Sequence, residues 1–195
     1  MPVTYRNRKR YLYYLRRKAA KNGKQRYFFS RKPIGDPVEE IPAGFEIVES
    51  VNAVVSLRKI AAPVIPAAEI GKVESVLKLY RHLEYYKAEA RKRDIVVYER
   101  LGALSRAFLS GLSGRPHGPV SELESRPLDP GKNARYEPVM RFRLVDAKAR
   151  TYTVERMCYR SSVDGWLSLH DLGPLSALAK RYLPHLGRES FFELC

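Results

Sequence analysis

Cysteine is almost absent. The 195 residues contain two, Cys158 and Cys195, far apart in the chain. That excludes a disulfide framework and a zinc module built on paired cysteines. The usage fits a reducing compartment, and the cytoplasm is the expected location. Long apolar runs are missing too. The longest weakly polar stretch, residues 60–68, is interrupted by Pro63 and Pro66, so no transmembrane segment is expected. The first residues lack the apolar centre of a secretory signal. They are rich in arginine, as a mitochondrial transit peptide is, but their many tyrosines and scarce serines argue against one.

Familiar catalytic signatures are also lacking. Neither a Gly-x4-Gly-Lys-Ser/Thr phosphate loop nor a dinucleotide-type glycine pattern after a strand occurs. The four histidines, His82, His117, His170 and His185, never stand four apart, so no helical metal pair is formed. Ser168, His170 and Asp171 supply the residue types of a triad within one short run, but neighbours in sequence point apart. Asp171 reads instead as a turn or cap residue ahead of Pro174. Gly111, Leu112, Ser113 and Gly114 have the form of a backbone-clamping G-x-x-G loop. Such a loop joins two helices, and Pro116 and Pro119 break the second one, which leaves an ordinary turn. Glu84, Glu89, Asp94 and Glu99 have the chemistry for acid/base work or for a divalent cation. Lys87, Arg91 and Arg93 beside them make cross-strand ion pairs the better reading. No catalytic residue, metal site or cofactor is assigned.

Acidic residues are missing from one region altogether. The first 32 residues hold 12 Lys/Arg and no Asp or Glu, and the first acid is Asp36. Of the chain's net charge of +15, +12 lies in that sixth. The other 163 residues carry 24 bases against 21 acids, nearly balanced. Tyr5, Tyr11, Tyr13, Tyr14, Tyr27, Phe28 and Phe29 are interleaved with the bases. Basic side chains attract phosphates and aromatic faces stack on unpaired bases, so the segment has the ingredients of a nucleic-acid surface. The candidate residues are Arg6, Arg8, Lys9, Arg10, Tyr11, Tyr13, Arg16, Arg17, Lys18, Lys21, Lys24, Arg26 and Tyr27. Competing readings are a solvated arm whose tyrosines belong to the core, and an arm drawn to an anionic membrane surface.

What is plentiful is globular. With 45% apolar and 29% charged residues, whole-chain disorder is excluded. The length allows one domain or two small ones, and folding buries roughly 70% of the surface exposed by the unfolded chain. Leu12, Leu15 and Ala19 have helical spacing with Gly23 placed as a C-cap, but Asn22 and Gly23 between aromatic-rich runs favour a hairpin with strands over 11–17 and 25–31. Residues 45–49 and 54–58 form a second hairpin turned by Asn52, with Phe45, Ile47 and Glu49 on one face. Residues 63–66 are a proline linker between a basic, aromatic β segment over 1–62 and a body over 67–195. Pro66 opens a helix over 67–83, on which Ile70, Val73, Leu77 and Tyr80 make an apolar stripe. A hairpin over 85–90 and 95–99 follows, then a helix over 102–112 and a long loop over 113–135. Residues 139–145 and 151–159 pair as strands, and Pro174 opens a helix over 175–182. Phe191, Phe192 and Leu194 make an apolar tail that docks on the body.

The expected class is α+β, with antiparallel β-hairpins alternating with three short-to-medium helices behind a basic N-terminal segment. From Phe45 onward a strand–strand–helix unit recurs three times as architecture, without repeated residues. The expected function is nucleic-acid binding, with RNA or DNA as partner. If about six bases neutralise phosphates, log affinity falls against log salt with a slope of about −5 on duplex and about −4 on a single strand. The alternative is a protein-interaction module, with Trp166, Phe191 and Phe192 as partner contacts. An uncharacterised enzyme is the third reading.

Overall fold

The computed structural model describes residues 1–21, 23–101, 134–160 and 163–194. The chain divides into two compact units, Met1–Ala62 with Leu128–Ala134, and Pro63–Pro127 with Arg135–Cys195.

The first unit is built of strands. β1 (Thr4–Arg6), β2 (Leu12–Ala19), β3 (Gln25–Ser30) and β4 (Asp36–Pro37) form one antiparallel sheet with β2 at its centre. β3 lies along one side of β2, while β1 and β4 pair successive lengths of it, Thr4 opposite Tyr14 and Pro37 opposite Arg16. The hairpin joining β2 and β3 turns where the asparagine–glycine signal stands, and Gly23 has φ +75°, the left-handed conformation such a turn demands. β5 (Phe45–Glu49) and β6 (Val55–Lys59) form a second antiparallel hairpin. Leu15, Val51, Ala53 and Val55 are its buried apolar side chains, a small core.

The second unit carries the main core. Its sheet has five strands in the order β11-β10-β9-β8-β7: β7 (Tyr86–Arg91), β8 (Asp94–Arg100), β9 (Tyr136–Asp146), β10 (Thr151–Arg160) and β11 (Val163–Pro174). All neighbours are antiparallel. Helices α1 (Ala67–Leu79) and α2 (Leu175–Tyr182) pack on each other, α1 also against β7 and α2 against β10 and β11. Val73, Val76 and Leu77 from α1 and Leu178, Ala179 and Tyr182 from α2 meet Ile95, Val97, Met140, Phe142, Leu144, Tyr152 and Val154 from the sheet. The alternation of these apolar residues with Arg141 and Arg143 along β9 explains the choice of face.

The structure corrects the expected class in detail. It remains α+β, but strands dominate, and the described residues contain two α-helices rather than three alternating with hairpins. The expected helix over 102–112 lies outside the described residues. The threefold strand–strand–helix scheme fails in its last unit, where β11 intervenes between the β9–β10 pair and α2. Residues 163–174, where Asp171 reads as a turn or cap residue, form the longest strand described. Ser168, His170 and Asp171 obscured it, and its pairing is irregular: β10 steps from Glu155 to Thr153 while β11 steps from Ser168 to Leu172. His170 sits in this bulge at φ +54°. The helix expected over 67–83 stops at Leu79. Tyr80 turns extended, and a single 3-10 turn, Arg81–Leu83, delivers Leu83 into the core.

Candidate nucleic-acid interface

The basic N-terminal segment is a folded part of the first sheet, and the sheet sorts its side chains by face. Strand residues alternate, and register fixes which cross-strand neighbours share a side. Leu15, fully buried, defines the inner face. Phe29 lies opposite Leu15, Tyr27 opposite Arg17, and Tyr5 opposite Tyr13, so all of these share that face. The β5–β6 hairpin lies against it. The rings of Tyr27 and Phe45 are 6.5 Å apart, and the Tyr5 hydroxyl donates to Glu49 at 3.3 Å. Burial, and then the Glu49 charge, push the Tyr5 phenol up from its usual range.

The outer face holds the complementary set. Leu12, Tyr14, Arg16 and Lys18 alternate along β2; their register partners are Arg6 on β1, Ser30, Phe28 and Arg26 on β3. Pro37 flanks Arg16 from β4. The Arg16 guanidinium lies over the Tyr14 ring, 5.3 Å from its centroid, and its Nε is buried without a hydrogen-bond acceptor. Arg6, Lys18 and Arg26 are exposed. No Asp or Glu lies on β1, β2 or β3; Asp36 on β4 is opposite Arg17 and so belongs to the inner side. Gly35 lets the chain close over this sheet: at φ +82°, a Cβ there would stand 2.6 Å from the Arg17 carbonyl oxygen and 3.4 Å from Cζ of Phe28.

The remaining candidate residues are distributed by local bonding. Arg8 donates to the Ser50 carbonyl at 2.7 Å and to that of Val51, and pairs with Glu49, which ties the β1–β2 turn to the β5–β6 turn. Lys9 donates to the Ala134 carbonyl at 2.8 Å. Arg10 is exposed in the turn at φ +65°. Tyr11 lies under Arg31, 4.8 Å from guanidinium to ring centroid. Arg17 faces Asp36 at 3.8 Å. Lys21 and Lys24 flank the exposed hairpin tip. Of the thirteen candidates, Arg6, Arg16, Lys18 and Arg26 come together on the outer face, whereas Tyr13, Arg17 and Tyr27 are inward.

Three residues stand out that the thirteen candidates do not include. Tyr14 and Phe28 are the outer-face rings, and the alternation of β2 against a fixed hairpin register would have named them. Asn7 is the third, buried in the β1–β2 turn. Its Nδ2 donates to the Ala53 carbonyl at 2.7 Å and its Oδ1 accepts from the Tyr11 amide at 2.8 Å.

The alternative contacts separate similarly. Trp166 packs beneath Arg141, 4.3 Å from guanidinium to ring centroid. Phe191 is buried, while Phe192 is 71% exposed. Two acids of the β7–β8 hairpin, Asp94 and Glu89, are held in ion pairs, though Asp94 uses Arg143 at 3.0 Å and Arg141 at 3.5 Å rather than the expected bases. Glu89 pairs with Arg91. Asp171 accepts from Arg181 at 2.6 Å and from the Tyr182 hydroxyl at 3.1 Å, so it neither forms a triad nor caps α2. His82 and His185 contact the Pro184 carbonyl and Ser190. Among the described residues no three His, Cys, Asp or Glu converge as metal ligands, and no helix is long and apolar enough to cross a membrane. His117 and the stretch 111–114 lie outside the described residues. The chain matches no protein-family model, no curated protein and no solved structure.

Proposed function

We propose that this is a nucleic-acid-associated binding protein of the cytoplasm, which contacts phosphates through the outer face of β1–β3 and stacks bases there. One observation carries the reading: Arg6, Arg16, Lys18 and Arg26 share a face with Tyr14 and Phe28, and no acid on these strands offsets them. Clustered cations gain affinity by releasing the counterions condensed on a phosphate backbone. The pairing pattern favours these four over Arg8, Arg17 and Lys9, because Arg8 and Arg17 already face carboxylates and Lys9 a backbone carbonyl. RNA and DNA both present the required chemistry.

The test is a binding titration of the nuclease-treated full chain at rising salt. Four phosphate contacts give a slope of log affinity on log salt of about −3 on a single strand and about −4 on duplex. Absence of binding at low salt, or a complex indifferent to salt, overturns the proposal. A protein partner is the second reading, supported by the exposed ring of Phe192. Phe192→Ser is expected to leave the nucleic-acid titration unchanged and to abolish only a protein contact.

A further inference from the structure

We infer that the ligand of the outer face is a single strand rather than a duplex, an inference that rests on the nucleic-acid reading above. The rings decide it. Tyr14 stands opposite Ser30, and Phe28 opposite Arg16, so the two rings are diagonal neighbours on adjacent strands. Such positions lie about 7–8 Å apart. A base stacks on an aromatic ring only when its own face is free, which a duplex denies and a single strand permits. Phe28 and the Arg16 guanidinium stacked on Tyr14 offer two neighbouring planes to two bases of one strand splayed from each other.

The charges fit the same path. Arg16 and Lys18 are two residues apart on β2, a separation of about 7 Å, and Arg26 lies directly across from Lys18. Cations at that interval follow the phosphates of an extended strand running beside the rings. Arg16 contributes a second way: its guanidinium already lies over Tyr14, and a guanidinium plane is itself a stacking surface for a base. The Arg16 Nε is buried, so this side chain lies against the sheet, where its attractive contact is with the Tyr14 ring.

Width argues against duplex entry. A major groove admits an α-helix or a two-stranded ribbon. Around Tyr14 and Arg16 the sheet is three strands wide, because β1 or β4 lies on the far side of β2 from β3. The rings therefore sit on a broad surface. Among the described residues, the end of the hairpin beyond Arg17 is two strands wide, and it bears no aromatic residue.

The experiment is fluorescence anisotropy on the full chain with three labelled probes of about a dozen units, oligothymidine, oligouridine and a mixed-sequence DNA duplex, a length within the span of known single-strand sites. The variants are Tyr14→Leu, Phe28→Leu, Tyr14→Phe and the pair Lys18→Gln with Arg26→Gln. The expected result is at least about tenfold tighter binding of one single-stranded probe than of duplex at equal salt. Each leucine variant then loses about tenfold on that probe and nothing on duplex, while Tyr14→Phe keeps wild-type affinity. The paired glutamine variant weakens every probe. Equal or tighter duplex binding overturns the inference, as do leucine variants that retain single-strand affinity; in both cases loss of binding in the glutamine variant still upholds the underlying reading. Failure of the wild-type chain to bind any probe at low salt overturns both. If Phe28→Leu does not fold, the contrast between Tyr14→Leu and Tyr14→Phe decides alone.

Discussion

The two units treat arginine in opposite ways. Residues 63–195 contain 22 Lys/Arg and 16 Asp/Glu, and several arginines of the second unit engage its own carboxylates. Arg141 and Arg143 bracket Asp94 and Glu155 across three strands, Arg150 holds Glu69, and Arg181 holds Asp171. Residues 1–62 contain 14 Lys/Arg and 5 Asp/Glu. Their acids engage Arg8, Arg17 and Arg58 and leave the outer face of β1–β3 without a carboxylate. Net charge alone does not locate a binding surface. What locates it is the set of bases left after internal pairing, on a face that an aromatic ring shares.

The units differ as much in what holds them together. The second has Phe142, Tyr152, Met140 and their neighbours in one buried cluster, whereas the first buries few apolar residues and adds polar ties. The largest expected effect tests this contrast. Phe142→Ala should cost about 4 kcal/mol, by lost transfer energy and the cavity left behind. Leu15→Ala should cost about 2.5 kcal/mol, near the low end for leucine truncation. Urea midpoints measure both. A larger loss from Leu15→Ala would break the comparison, placing the more demanding core in the smaller unit.

Next in size is Asn7→Ala. The substitution leaves the Tyr11 amide without its acceptor inside the β1–β2 turn and the Ala53 carbonyl without the donor that joins this turn to the β5–β6 hairpin. An abandoned buried polar group costs about 1–3 kcal/mol, and about 2 kcal/mol is expected here. Wild-type stability in this variant would mean that Arg8 alone ties these turns.

Asn7 also marks the limit of reading the sequence. Hairpins were legible wherever alternation and turn chemistry agreed, as at Gly23 and along β9, where Met140, Phe142 and Leu144 alternate with Arg141 and Arg143. The α+β class was legible for the same reason, and so was α2, opened by Pro174. Asn7 was not, since one asparagine in a basic run carries no sign of burial. β11 was hidden because its bulge at His170 breaks the two-residue period, and because Asp171 faces Arg181 and Tyr182 on a helix that sequence spacing cannot place beside it. The outer face was half legible. Composition shows bases and rings interleaved but not which of them share a side of the sheet: Tyr14 and Phe28 fall on the face of Arg6, Arg16, Lys18 and Arg26, and Tyr13 and Tyr27 on the other.

Two glutamates of the second unit make opposite predictions with pH. Burial opposes ionisation of Glu69, but hydrogen bonds from Arg150 and Tyr152, and then the charges of Arg150 and Lys72, outweigh it and hold the carboxyl below its usual range. Its stabilising contribution is therefore complete above the unfolded value of about 4.3 and is lost as pH falls through the lower folded value. Glu99 goes the other way. Burial raises it, the hydrogen bond from Tyr86 offsets this in part, and the Glu137 charge adds to the rise. Its contribution is full below the unfolded value and is lost as pH climbs through the folded one. Glu99→Gln should thus stabilise the protein at neutral pH by about 0.5 kcal/mol, the scale of changes outside a packed core. Glu69→Gln should lower stability at neutral pH and flatten its decline in acid. Thermal midpoints across the acid range read both, and a destabilised Glu99→Gln at neutral pH contradicts the assignment.

The smallest change in stability should accompany a distinct change in binding. Lys18 and Lys180 are both exposed lysines, one on the acid-free face of the first unit and one on α2. Replacing either by glutamine should leave stability within about 0.5 kcal/mol. The two should part in a salt titration on a single strand. Lys18→Gln removes one phosphate contact and should reduce the magnitude of the slope by about 0.7, whereas Lys180→Gln should leave it unchanged. Affinity at one salt concentration would not discriminate as well, because any loss of positive charge weakens attraction to a polyanion at a distance. The slope counts ions released at the contact itself. Equal slopes for the two variants would mean that the chain attracts nucleic acid through its overall charge, and the outer face of β1–β3 would lose its claim to be the surface that does it.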